Sequence, residues 1–563
     1  MLFVALLNLV LTSSFAQSNL QNGIEPDWSS QATIDSSVFP NGRANIYQWD
    51  EQTFSEKIAR GQKHALHYPV TATGLLIPAR PALKVLDSKP GEPLFALMKT
   101  IFSLSSEFKD FKGFWDWLGL TPSTKESGEI YPMGVSLITR NGVEGFTMSC
   151  AACHSSSLFG KSILGMTNRF PRANLFFKHG QEALSKISPI LFQLMTGASR
   201  GEKEMYADAV DHIRSITIKK PETLGLDTSL SQVAQSLAKR APTENAERTE
   251  YDLKYPRPTS LDEVVADSKP AVWWNVKYKT HWLSDGSVVS GNPVFTNFLW
   301  NEIGRGVDIP VLLDWLKSNP ETVQELTTAV FATEAPKWKD FFGENSIQVE
   351  RAKRGEAIYA QNCAHCHGEY KKAWSLTTSE WEDLHEQAVK NGKPMPAIID
   401  TIRLSYTEKV KDVGTDSGRR KGMKALAEAL NPLAFSKNFK ILIEEQPGYV
   451  ASPLEGIWAR YPYFHNNSIP NLCALMTEPS SRPAVYYSGK AIDKDRDYDQ
   501  ECLGYPVGNK TPAEWKKDPE YRYDTKVAGL SNSGHYDRIF MKDGVERYSP
   551  EEKKDLLEFL KTL

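Results

Sequence analysis

Ala360-Gln361-Asn362-Cys363-Ala364-His365-Cys366-His367-Gly368 is the stretch on which the reading of the chain turns. Two thiols separated by two residues, with an imidazole directly after them, lie on one turn of chain and converge on one flat partner. This is the c-type haem attachment pattern: the thiols add across the porphyrin vinyl groups, and His367 supplies a neutral ring nitrogen to one face of the iron. Upstream, small or apolar residues at 352, 355, 358 and 359 make the stripe of a helix running into the loop. At the far end Ser549-Pro550-Glu551-Glu552 reads as an N-cap, an N1 proline and an acidic first turn. Leu556, Leu557, Phe559, Leu560 and Leu563 then form one apolar face.

Cys150-Ala151-Ala152-Cys153-His154 repeats the pattern. A lone CxxC is also half a zinc site or a redox pair, but two copies that both carry the adjacent histidine favour two covalently bound haem c groups. The cofactor residues are then Cys150, Cys153, His154, Cys363, Cys366 and His367, with His154 and His367 on iron. Cys473 and Cys502 are left over, and in an exported chain they are expected to pair as a loop staple.

The N-terminus supports export. Leu2 to Leu11 is an apolar run, and Thr12-Ser13-Ser14-Phe15-Ala16 offers small residues before a cut after Ala16, so residues 1–16 read as a signal peptide. No later stretch reaches the ~18 apolar residues of a membrane span. The expectation is a periplasmic or secreted protein without a stable membrane span. With 563 residues, 24% of them charged, and a formal net charge of -3, the chain shows no nucleic-acid footprint.

Along the chain, residues 17–45 are a polar, irregular lead-in. Phe54 to Leu120 alternates helical patterns with turns, and Phe108, Phe111, Phe114, Trp115 and Leu118 form an aromatic stripe. Gln181–Thr196 and Gly201–Ile218 read as helices, and Ser229 with Gln232 as a capping box. Pro270 to Trp300 reads as a loop-rich segment crowded with Trp273, Trp274, Tyr278, Trp282, Phe295, Phe298 and Trp300, which need something apolar to cover. Glu321–Ala332 is a further helix, and 334–338 a linker. The boundaries follow: 46–340 an N-terminal haem c domain, 341–563 a C-terminal cytochrome c domain. The fold class is mainly α, two cytochrome c-like haem domains with long loop-rich insertions, one of them the turn-rich stretch from Pro479 to Tyr523.

Tyr449-Val450-Ala451-Ser452-Pro453-Leu454-Glu455-Gly456-Ile457-Trp458-Ala459-Arg460-Tyr461-Pro462-Tyr463-Phe464-His465-Asn466-Asn467-Ser468-Ile469-Pro470-Asn471-Leu472 resembles a stretch of the bacterial di-haem cytochrome c peroxidase superfamily. With the two distant CxxCH sites, the Val413-Gly414-Thr415-Asp416 turn and the late Gly534-His535, it is most similar to the RoxA/RoxB-like rubber oxygenase branch. The helix before Cys363 and the last helix resemble the crossing pair of cytochrome c folds. Asn467 stands where the family pattern has glycine, and asparagine tolerates the left-handed conformation better than most residues. The resemblance implies a distal histidine, His535, opposite His367; Met476 is the rival, since peroxidases of the superfamily use methionine there. His465 reads as structural. For haem 1 the resemblance places an apolar distal lining in the aromatic segment, with Trp282, Phe295 and Phe298 as candidates. It implies an oxidoreductase, in first place a RoxA-like dioxygenase using O2 to split an apolar alkene such as polyisoprene, with haem 2 in electron transfer. The alternatives are a di-haem peroxidase reducing H2O2 with electrons from a redox-partner protein, and a pure electron carrier.

Overall fold

The computed structural model describes residues 26–28, 34–35, 42–89, 91–95, 111–124, 129–217, 223–226, 229–390, 392 and 394–563. The signal peptide expected over 1–16, most of the lead-in and Phe108 lie outside the described residues. The lead-in has structure where it is described: Ile34–Asp35 is a strand and Gly42–Asn45 a 3-10 turn.

Helix α1 (Glu51–Leu66) starts where the Asp50 carboxylate accepts the Thr53 N–H, and it buries Phe54, Gly61 and Ala65. Strands β1 (Val135–Arg140) and β2 (Val143–Met148) form an antiparallel hairpin turned by Asn141-Gly142, both at positive φ. A second hairpin, β3 (Ser155–Leu158) and β4 (Lys161–Leu164), follows at once. The first CxxCH motif is thus held between two hairpins, whereas a helix feeds the second.

The helix expected over 181–196 is two helices, Ala173–Lys186 and Pro189–Thr196. Ser188 caps the second through the Leu191 N–H and Pro189 takes its first turn, where a missing N–H costs nothing. The aromatic segment expected to be loop-rich ends in a helix, α2 (Pro293–Gly304), because the Asn292 side chain accepts the Val294 and Phe295 N–H groups ahead of Pro293. Helix α3 (Pro320–Ala332) lies against α1, where Lys57, Arg60 and His64 surround the Glu325 carboxylate at 3.0, 3.3 and 2.9 Å.

Helix α4 (Val349–Asn362) leads into Cys363. Strands β5 (Glu369–Lys372) and β6 (Thr401–Ser405) pair antiparallel, with Ile34–Asp35 on the other edge of β6. The last helix, α5 (Pro550–Leu560), carries the expected cap, Ser549 and Glu552 satisfying each other's backbone N–H. Helices α4 and α5 cross at Gly355: a Cβ there would stand 2.0 Å from the Asp555 carbonyl oxygen, so only glycine lets the backbones approach this closely. Arg354 closes the crossing with bonds of 2.7 and 3.0 Å to the Asp555 carboxylate.

Cys473 and Cys502 are disulfide-bonded, tying the stretch after the family motif to the turn-rich insertion. The apolar clusters draw on both sides of residue 340. One joins Leu158, Met166, Trp274 and Tyr278 to Trp458, Tyr461, Phe559 and Leu560. Another joins Trp282, Phe298 and Phe331 to Met423, Leu426 and Phe435. Among the described residues no helix is long and apolar enough to cross a membrane.

Candidate functional site

The second motif is built on the end of α4. Cys363 ends the helix, Ala364–His367 makes one more turn, and Gly368 breaks it at φ +90° while its carbonyl accepts the Tyr359 hydroxyl at 2.9 Å. His367 Nδ1 lies 2.7 Å from the Ser452 carbonyl oxygen. A carbonyl only accepts, so Nδ1 carries the proton and Nε2 keeps its lone pair, the tautomer an iron ligand needs. Burial pushes the ring down to about 4, so it is neutral.

Facing it is His535. The two ring centroids are 6.3 Å apart. An iron holding one imidazole nitrogen on each face at ~2.0 Å separates two ring centroids by roughly 6 Å, so the pair leaves the room that one metal needs. His535 sits at φ +55°, a conformation that costs a non-glycine residue of order 1 kcal/mol. Its backbone N–H donates to Val413 O at 2.7 Å. Gly534 makes this possible: a Cβ there would lie 2.4 Å from the Gly414 carbonyl carbon. The Val413-Gly414-Thr415-Asp416 turn is therefore the bed on which His535 is aimed. Burial, and then the neighbouring His367, push the His535 ring down to about 3, and its Nδ1 is buried with no partner among the described residues. Met476 is buried, its carbonyl accepting from Lys553 Nζ.

The first motif has the same proximal arrangement by other means. Cys150 leaves β2 through a 3-10 turn, and Asn168 Nδ2 bridges the Gly119 and Ala152 carbonyls at 2.8 and 2.7 Å. His154 Nδ1 meets the Ala271 carbonyl at 2.9 Å, which again leaves Nε2 for a metal. Trp273 stands beside it, ring centroids 5.6 Å apart. Burial pushes the Cys150 thiol up to about 11 and the Cys363 thiol up to about 12, as expected of sulfurs set in apolar walls.

The three aromatic candidates are all core residues. Trp282 donates its indole N–H to Gly291 O and packs edge-on against Phe331; Phe295 meets Phe439; Phe298 meets Tyr68 and Trp315. Phe298 leads toward the first motif through Tyr68, which lies within electrostatic reach of Cys150. Sequence reasoning missed what surrounds Cys150. Glu302 is fully buried and accepts from the Tyr68 hydroxyl at 2.6 Å, Thr73 Oγ1 at 3.1 Å and Arg305 Nη1 at 3.0 Å. Arg305 Nη2 donates to Met148 O at 2.9 Å, and its charge acts on the Cys150 and Cys153 thiols. The signal was faint: Glu302 and Arg305 are one turn apart on α2, a spacing common on solvated faces.

Beside this network opens a cavity of about 200 Å³ lined by Leu75, Phe114, Trp115, Phe146, Met148 and Phe177, with Arg305 its charged wall. Met148 is two residues from Cys150.

His465, expected to be structural, stacks on Tyr449 with ring centroids 4.2 Å apart, and its Nε2 meets the Tyr449 hydroxyl at 3.2 Å. Asn467 adopts φ +64°, the left-handed turn its place in the motif requires.

Comparisons with known proteins agree with this geometry. The family described as "RoxA-like, cytochrome c-like" matches residues 448–487, the stretch that carries the Ser452 carbonyl. The family described as "Cytochrome C oxidase, cbb3-type, subunit III" matches residues 350–405, from α4 through the second CxxCH to β6. Two uncharacterized proteins of Sinorhizobium fredii (strain NBRC 101917 / NGR234) are similar in sequence. y4iJ is 28% identical over 258 residues, covering 40% of this chain and 41% of that protein. y4iM is 30% identical over 229 residues, covering 38% of this chain and 49% of that protein. The chain thus spans less than half the length of the relatives it matches. With a cytochrome c match around His367 and a RoxA-like match around the Ser452 carbonyl beside it, the chain is similar to RoxA-like cytochromes c over these two stretches, which supports a RoxA-like di-haem cytochrome c relationship.

Proposed function

We propose that the chain binds haem c at both motifs and is an oxidoreductase that uses O2 to cleave an apolar alkene of the polyisoprene type. Haem iron with an open face supplies dioxygen chemistry, and iron with two histidines supplies electron transfer. His154 orients the first centre through Ala271 O, and His367 with His535 closes the second, with His535 preferred over Met476. The observation that carries the substrate class is the cavity two residues from Cys150, whose walls apart from Arg305 are mostly aromatic and aliphatic. An alkene chain laid against those walls loses few polar contacts. Cleavage balances without a further reductant: the C=C bond breaks, and each carbon takes one oxygen atom of O2 as a carbonyl.

The Tyr68, Glu302 and Arg305 network favours a second reading, peroxide reduction, because a buried carboxylate and guanidinium beside the haem-bearing cysteine are the groups that move a proton and polarise an O–O bond. Oxygen uptake by the fully haem-loaded protein on addition of polyisoprene latex, without peroxide or reductant, decides between them. Rapid uptake with aldehyde or ketone products is expected. No uptake, together with turnover of peroxide by a reduced cytochrome, would give the peroxidase reading instead.

A further inference from the structure

Arg169, Lys269 and Arg460 bring three cations together without a carboxylate. Arg169 is 4% exposed. Its Nη2 donates to Ala459 O at 2.6 Å and its Nε to Tyr461 O at 2.7 Å, while Lys269 Nζ donates to Arg460 O at 3.2 Å and Pro462 O at 2.6 Å. Four consecutive carbonyls, 459 to 462, are thus gripped alternately by two cations from the other half of the chain. Arg460, in the middle of that run, turns its Nη1 to Pro453 O at 2.9 Å. Among the described residues none of the three makes an ion pair. Glu455, whose charge reaches Arg460, bonds to the Tyr278 hydroxyl instead, and burial pushes its carboxyl up toward the neutral form. Burial and the two neighbouring guanidinium groups push the Lys269 ammonium well below its ordinary value. Uncompensated buried charge of one sign is costly, and carbonyl dipoles offset it only in part.

The cluster is linked to both motifs through backbone neighbours. Lys269 is two residues from Ala271, whose carbonyl holds His154, and Arg460 bonds to Pro453, next to Ser452, whose carbonyl holds His367. Haem carries two carboxylates on the edge away from its thioether bonds.

We propose that Arg169, Lys269 and Arg460 form one carboxylate-binding site between the two CxxCH motifs, taking propionate side chains of the haem groups. The anions restore charge balance, and the cations in turn favour the ferrous state, because reduction adds an electron beside positive charge. The inference rests on haem being present at both motifs, and the haem count per chain, read separately as pyridine haemochrome, tells failure of that reading from failure of this one.

The test is a spectroelectrochemical titration of the haem-loaded protein. Arg460→Met lowers the midpoint of at least one haem by about tenfold in the ferric/ferrous equilibrium, roughly 59 mV for a one-electron couple, and Arg460→Lys restores it. Lys269→Gln gives the same direction. Unchanged midpoints in Arg460→Met and Lys269→Gln at full haem loading would overturn the assignment. The unaltered protein gives an independent reading that needs no variant to fold: carbodiimide with methylamine leaves the propionates intact on the mass of the haem peptides. Ready amidation of all four propionates would overturn it equally.

Discussion

His535 shows what a single residue is asked to do. It accepts a left-handed backbone, gives its N–H to Val413 and keeps a neutral ring opposite His367. His535→Ala therefore converts the second haem from low-spin to high-spin, seen in the visible spectrum and in electron paramagnetic resonance. Met476→Leu leaves the low-spin signal in place; the reverse pattern would make Met476 the ligand. The cysteines and histidines of both motifs stood out in sequence because the c-type attachment pattern has a fixed spacing. Glu302 and Arg305 were not, because a buried ion pair near Cys150 is written in the same letters as a solvated helix face. Trp282, Phe295 and Phe298 were legible as apolar, but hydrophobicity does not say which core a ring enters, and theirs is the one that also holds Phe331, Met423 and Phe435.

At the scale of elements, α4 and α5 stand or fall with one contact. Gly355→Ala pushes a methyl group into the Asp555 carbonyl, so the helices must separate, and overpacking of this kind costs about 1–3 kcal/mol. The expected outcome is a lower unfolding midpoint in urea together with a broadened spectrum for the second haem, since α4 carries Cys363. The caps of α5 and the stripe of α4 were readable because they are local. The surroundings of the first motif were not: a pair of hairpins replaces the leading helix there, and its register depends on long-range partners such as Ile77, which pairs with Phe146. Pro189 starts a second helix inside a stretch that read as one, and Pro293 starts a helix in a stretch that read as loop-rich, through the side chains of Ser188 and Asn292.

For the whole molecule, buried lysines set the response to pH. Burial lowers Lys372 to about 7 and Lys279 to about 8, while Lys372 Nζ holds Thr401 Oγ1 and the Thr562 carbonyl, tying β5 and β6 to the chain end. Between those values and the ordinary 10.5 the unfolded chain holds protons that the folded chain has released. Stability therefore rises with pH in that window, by at most roughly 1.4 kcal/mol per pH unit for each lysine. Urea unfolding at pH 7 and 9.5 shows this rise, and Lys372→Met flattens it. The segment from Ser452 to Pro462 has a different kind of reach. One of its carbonyls accepts from His367, and four others are gripped by Arg169 and Lys269, so it settles only when three separate earlier stretches of the chain are in place. A chain in which any of these stretches is left unpacked keeps the clasp open to proteolytic cleavage.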